Sequence, residues 1–355
     1  MSVRTARRIS TTWPPAQGPR RCGVALVLAL GLLLGGTAPV VDAQRGDAAL
    51  TVISGQVRAQ PPGAASFRPA ADGQVLPSGS RVRTAANSWA TLTFFDGTTI
   101  TLDPDSEVVL AHVEPAADAP DGLLLTLQLS AGRIWAQVSS LFDRGSSFEV
   151  QAAGVSAVAR EGTFGFQLAN DGTLGCWAIA GSPLVVQRGD DERVLGPEEQ
   201  LVISAAGGAL PAPTPREFGP GLLEVQTQGG VLARVVDPRG LTVGFASGEF
   251  VVNQVIDAAT SLPSAPDRWL RVRGPTAGPY ALVLQPEATG PYLVRVTLER
   301  EDSELAAYEW QAEVQLGEVL VADLVVEDSP DGPTGLRVAA PRPADGPLPG
   351  SFQFP

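Results

Sequence analysis

Residues 79–110 read GSRVRTAANSWATLTFFDGTTITLDPDSEVVL. The stretch predicts three short strands, separated by Asn87-Ser88 and by the Asp96-Gly97 hairpin signal, and it ends in a turn that contains Pro104. The same texture continues outward. LTVISGQV from Leu50, LLLTLQLSAGRIWAQV from Leu123, SFEVQAA from Ser147 and TLGCWAIAGSPLVVQ from Thr173 alternate at period two or form short β-branched runs. No window of about twelve residues sustains a helical period of 3.6. Residues 50–204 are therefore expected to be all-β. A loose unit of apolar residue, Gly, then apolar-x-apolar recurs at Gly55, Gly79, Gly97, Gly132, Gly181 and Gly196. Its irregular spacing fits stacked strand pairs or an ordinary sandwich.

Five arginines precede an apolar run from Val24 to Leu34, and Val41-Asp42-Ala43 supplies the small residues of a cleavage site. Residues 1–43 are expected to be a signal peptide, and the location extracytoplasmic. The apolar core is shorter than the roughly 20 residues that span a bilayer, and an uncleaved membrane anchor requires it to extend to Val41. Removing the leader takes the formal charge from −13 to about −17. All 25 basic residues are Arg, and that balance disfavours nucleic acid and anionic lipid as partners. Cys176 is then the remaining thiol, so stability is expected from apolar burial rather than a disulfide.

Several runs, in order, carry a resemblance. Leu76-Pro-Ser-Gly-Ser-Arg-Val-Arg-Thr84 precedes the Ala90–Ser106 strands, and Leu129-Ser-Ala-Gly-Arg-Ile-Trp-Ala-Gln-Val138 follows. Then come Phe148-Glu-Val150, Glu161-Gly-Thr-Phe-Gly-Phe166 and Gly181-Ser-Pro-Leu-Val-Val186. Over about residues 50–190 the series resembles the FecR domain family, named after the periplasmic regulator of ferric citrate transport. The resemblance implies a β-helix-like stack of strand pairs outside the cytoplasmic membrane. Two features depart from it. Arg160-Glu161-Gly162-Thr163 stands where the family usually has Val-Arg-Gly-Thr, and about 20 residues before the apolar run are too few for the family's helical anti-sigma region.

Residues 205–220 are rich in Pro and Gly and are expected to be a linker. About seven strands follow in 221–328, with Gly-Pro-Tyr strand openings at Gly278 and Gly290, and these resemble an immunoglobulin-like β-sandwich module. Residues 329–355 are expected to be a disordered tail.

Chemistry is sparse. His112 is the single histidine, which excludes sites with two His ligands and argues against a Ser-His-Asp triad. No lysine is present for a phosphate-cradling loop. Asp96, Asp103, Asp105 and Glu107 could suggest Ca²⁺, but turn chemistry explains them and the spacing is not that of an EF-hand. Cys176 beside Trp177 reads as a buried, inert thiol. Trp89, Trp135, Trp177, Trp269 and Trp310 lie in or beside strands; an exposed aligned pair would favour glycan binding. No catalytic residue, cofactor or metal is assigned. The expected function is a non-enzymatic, extracytoplasmic protein-binding or structural scaffold. The alternatives are a glycan- or cell-wall-binding module, and the sensing component of a sigma/anti-sigma pathway with a separate cytoplasmic partner.

Overall fold

The computed structural model describes residues 46–115, 122–139, 146–245, 251–261, 265, 267–301 and 303–344. The leader expected at 1–43 lies outside them. The confident part is all-β, with no helix and 65% strand.

The first unit runs β1 (Asp47–Ser54), β2 (Val57–Gln60), β3 (Arg68–Pro69), β4 (Gln74–Pro77), β5 (Arg81–Thr84), β6 (Trp89–Phe94), β7 (Thr99–Leu102), β8 (Glu107–Pro115) and β9 (Leu123–Val138). It continues through β10 (Ser147–Ala152), β11 (Val155–Ala159), β12 (Gly162–Leu168), β13 (Leu174–Gly181), β14 (Leu184–Arg188), β15 (Asp191–Leu195), β16 (Glu199–Ile203) and β17 (Thr214–Pro215). Pairing sorts these strands into two sheets that share β9. The first sheet has the order β4-β1-β6-β7-β9-β12-β13-β16-β17. The second has the order β3-β2-β5-β8-β9-β10-β11-β14-β15, with β9 and β10 parallel and the other pairs antiparallel. The chain thus advances along both sheets together, passing from one to the other as it goes. Their inner faces enclose one core, with Val82, Leu92, Ile100, Leu127, Phe148 and Phe166 among its buried side chains.

The recurring glycines mark this winding. Gly55, Gly79 and Gly181 fall where the chain leaves the first sheet, Gly132 and Gly196 where it enters it, and Gly97 turns the β6–β7 hairpin. Gly132 shows the physics. Residues before it in β9 pair in the second sheet, and residues after it pair in the first. Its φ of 78° disfavours L side chains, and a Cβ there would lie 2.4 Å from the Ser106 hydroxyl. That hydroxyl accepts from the Arg133 amide and donates to the Arg133 carbonyl, both at 2.9 Å, which fixes the corner.

The second unit comprises β18 (Leu222–Gln228), β19 (Val231–Val236), β20 (Thr242–Phe245), β21 (Val251–Asn253), β22 (Ala258–Thr260), β23 (Asp267–Arg273), β24 (Gly278–Pro286), β25 (Gly290–Arg300), β26 (Ser303–Val314), β27 (Leu320–Ser329), β28 (Gly332–Val338) and β29 (Arg342–Pro343). One sheet has the order β22-β23-β18-β25-β26. The other runs β21-β20-β19-β24-β27-β28, with β29 also on β27. A shared core holds Leu223, Val235, Leu282, Val296 and Leu324. This is an antiparallel sandwich, but with more strands than the seven expected, and it is not assigned to the immunoglobulin type.

Two sequence expectations need correction. Residues 329–355 are not a disordered tail throughout, because β28 pairs with β27 and buries Leu336, and β29 follows. Alternating apolar residues in a stretch rich in Pro and Gly were enough for an outer strand. Nor is 205–220 a loose linker. Leu210 joins the first core, its amide donates to Asp191 at 2.6 Å, and β17 pairs with β16. Pro213 and Pro215 lack amide donors, so they suit an edge strand that ends a sheet.

Candidate functional site: two outer faces with different fates

Each sheet of the first unit has an outer face, and the two faces have different surroundings. On the first sheet, register aligns Thr91, Thr101, Trp135, Gly165, Trp177 and Gln200 in one row across six strands. Thr93, Thr99, Gln137 and Thr163 stand in the neighbouring row. Alternating Thr with apolar residues reads as a half-solvated strand, yet Thr101 is 0% exposed and Thr91, Thr93, Thr99 and Thr163 are buried. The second unit packs on this face. Gln254 donates to the Thr91 hydroxyl at 3.0 Å, and Trp135, Trp177 and Ile179 cluster with Ala259, Ile256, Phe218 and Trp269.

The segment between the units completes the seam. The Arg216 guanidinium lies 4.3 Å from the Trp177 ring centre and makes two hydrogen bonds to Asp257, at 2.8 and 2.9 Å. Burial raises the Asp257 pKa above the ordinary value, and this outweighs the attraction of Arg216. Arg273 pairs with Glu198 farther out. At the rim, a cleft of about 280 Å³ is lined by Arg133, Gln167, Thr173, Gly175, Gln200 and Arg216. Both of its arginines are paired, Arg133 with Asp103 and Arg216 with Asp257, so the cleft offers no unbalanced cation.

The second sheet turns its outer face to solvent. Arg81, Val109, Gln128, Gln151, Ser156 and Gln187 align across it. The adjacent row carries His112, Thr126, Glu149, Val158, Val185 and Val194, the last 50% exposed. Burial pushes the Glu149 pKa up, but hydrogen bonds from Ser156, Gln151 and Thr126 together bring it below the ordinary value. A shallow hollow of about 330 Å³ beside the Ala153-Gly154 turn is bordered by Gln128, Gln151 and Ser156. Sequence reading did not single out these glutamines and valines. Their period-two spacing was visible, but which strands carry them side by side was not.

The residues weighed for chemistry are held apart. Asp96 is buried in the β6–β7 turn, where its carboxylate accepts from the Thr98 amide at 2.9 Å and the Thr98 hydroxyl at 2.8 Å. Desolvation raises its pKa despite those bonds. Asp103 pairs with Arg133, Glu107 pairs with Arg81 and Arg83, and Asp105 sits in a turn at φ 57°. His112 is exposed. Cys176 is fully buried, and burial pushes its thiol up to about 12. Glu161 is exposed, while its amide and carbonyl bond the Ser182 hydroxyl at the β11–β12 corner. Among the described tryptophans, Trp135, Trp177 and Trp310 are buried, and Trp89 and Trp269 are half-buried. The exposed aromatic pair that would favour a glycan platform is not found among them.

Comparison with known families then places the first unit. The family described as FecR protein matches residues 80–182, from the start of β5 to the end of β13. Residues 80–182 form a FecR domain. The two-sheet winding extends past the match at both ends, from β1 to β17. Two crystal structures of a candidate anti-sigma factor from Parabacteroides distasonis, at 2.50 and 1.65 Å resolution, are similar to part of this chain. Each shares 16% identity at a TM-score of 0.33 and covers 39% of this chain. The match spans 60% of that protein's own chain. No curated protein matches the sequence.

Proposed function

We propose that this chain is an exported, non-enzymatic binding scaffold whose FecR domain meets a protein partner through the outer face of its second sheet. One observation carries the proposal. The second unit occupies the first sheet's outer face, while the glutamine and valine rows of the second sheet are uncovered among the described residues. Such a face is flat and mixed, with Val194 and Leu124 exposed beside polar side chains, as in the contact areas of non-obligate complexes. The leader expected at 1–43 supports an extracytoplasmic setting. A second reading, the sensing component of a sigma/anti-sigma pathway, is favoured by the FecR match and uses the same face.

The test is photo-crosslinking from introduced residues. A photo-reactive amino acid at Gln151 or Gln187 should capture one envelope protein, and the same group at Glu313 on the second unit should not. Crosslinks that avoid the second sheet would refute the reading, as would turnover of a glycan or peptide by the purified chain.

A further inference from the structure

One end of the exposed sheet is strongly basic, although the whole chain carries a net charge of −13. Arg58 on β2 stands directly opposite Arg83 on β5, and Arg81 lies two residues along β5 on the same face. The Arg81 and Arg83 side chains are 42% and 51% exposed. Phe67 sits among these groups, its ring centre 4.5 Å from the Arg83 guanidinium carbon and 5.2 Å from that of Arg81. Those cation–π contacts hold the two guanidinium planes in place.

Among the described residues, Glu107 on β8 is the carboxylate that pairs with Arg81 and Arg83. It accepts from Arg83 Nε at 2.8 Å. Burial works to raise its pKa, but the hydrogen bonds and charges of the two arginines prevail and lower it. Glu107 is therefore ionised at neutral pH and is shared between two cations. Arg58 makes no ion pair among the described residues. Asp105 lies in the β7–β8 turn, its amide on the Ala85 carbonyl just past the end of β5.

We infer that this arginine face docks an acidic, extended polypeptide segment of the protein partner, an assignment that rests on the protein-binding reading above. Spacing favours an extended chain. Alternate residues of a strand project to one side about 6.7 Å apart, so Arg81 and Arg83 leave their backbone at the same interval as side chains i and i+2 of an extended acidic segment. Arg81 and Arg83 each spend part of their guanidinium on Glu107, but arginine has five N–H donors, so their remaining Nη donors can still receive carboxylates of an incoming chain. Arg58 supplies a third fork one strand away. The segment lies across side chains rather than adding a strand, because the edge strand β3 has two residues and Pro69 lacks an amide donor.

Fluorescence anisotropy with the mature chain tests the inference. The probes are a labelled peptide of about ten residues with alternating Glu and Thr, a block peptide of the same composition, and a labelled polygalacturonate. The alternating peptide should bind at least about fivefold tighter than the block peptide, and binding should weaken as salt screens the contact. Arg58→Glu and Phe67→Ala should each weaken it about tenfold while the far-UV spectrum is unchanged. No peptide binding, equal binding of the two peptides, insensitivity to Arg58→Glu, or tighter binding of the uronate polymer would each overturn it. The two proposals fail separately. If the Arg58→Glu chain still crosslinks its partner from Gln151, the scaffold reading stands and the arginine assignment falls.

Discussion

Replacing Gly165 by alanine tests how the two units are joined. Gly165 lies in β12 directly between Trp135 and Trp177, and its φ is outside the left-handed region, so its backbone accepts any residue. In such a setting alanine usually stabilises by about 0.5 kcal/mol, through the entropy of the unfolded chain. Here the new Cβ would lie 2.1 Å from Trp177 Cε2, 2.2 Å from Nε1 and 2.4 Å from Cζ2. The ring would have to move by more than about 1 Å to reach ordinary contact near 3.5 Å. Arg216 lies over it at 4.3 Å and Trp135 packs beside it with ring centres 6.5 Å apart, so it has little freedom to yield. Overpacking of this kind costs about 1–3 kcal/mol, and a rigid ring held by neighbours places the cost near about 3 kcal/mol. Trp177→Ala alone should cost about 3–5 kcal/mol and leave the space empty. In that background the clash is gone and Gly165→Ala should be neutral or stabilising by about 0.5 kcal/mol. The coupling energy of the cycle is therefore about 3 kcal/mol or slightly more, with a change of sign. Urea unfolding followed by far-UV circular dichroism reads all four proteins. A Gly165→Ala penalty that is the same in both backgrounds would refute the packing argument.

Other expectations follow from the same contacts. The Cys176 thiol is held near 12 against an ordinary 9.0, so the unfolded chain ionises first and stability should fall above pH 9. The slope is about 1.4 kcal/mol per pH unit and should be absent from Cys176→Ala between pH 9 and 10, below the range where the buried Tyr280 and Tyr292, also raised above 10.0, add a loss of their own. Gln254→Ala removes its bond to the Thr91 hydroxyl, which keeps Thr101 as a partner, and takes the acceptor from the buried Thr242 amide, so it should cost about 1–3 kcal/mol. Deleting residues 329–355 removes β28 and the buried Leu336, so thermal unfolding of the chain should shift down, and Leu336→Ala alone should cost about 2–5 kcal/mol. A truncation without effect would restore the disordered-tail reading.

Local order was legible in the sequence. Asp96-Gly97 is the hairpin turn that its dipeptide signals, and the six recurring glycines sit at corners or turns of the winding. The run from Leu123 to Val138 reads as one strand and is one, although only coordinates show that its two halves belong to different sheets. Long-range burial was not legible. Thr91 and Thr101 look like solvent-facing positions because a strand pattern reports alternation, not what packs on each side. Thr91 meets its partner Gln254 across 163 residues of chain. The stretch 205–220 misled for a related reason. Its Pro and Gly content suggests a spacer, whereas its prolines close a sheet edge and Arg216 anchors the seam. Arg58, Arg81 and Arg83 were likewise visible as residues, but two sheets had to be wound together before they stood on one face.

One sheet face is buried against the second unit while the other stays open, and thiol labelling of two single-cysteine chains reads both. Cysteine is introduced at Thr101 or at Gln151 in a chain with Cys22 and Cys176 replaced by serine and alanine. The thiol at 151 should react under native conditions at the rate of a free thiol, and the thiol at 101 only as fast as the protein opens. Comparable fast labelling at both positions would contradict the account, because the threonine face would then be open to solvent.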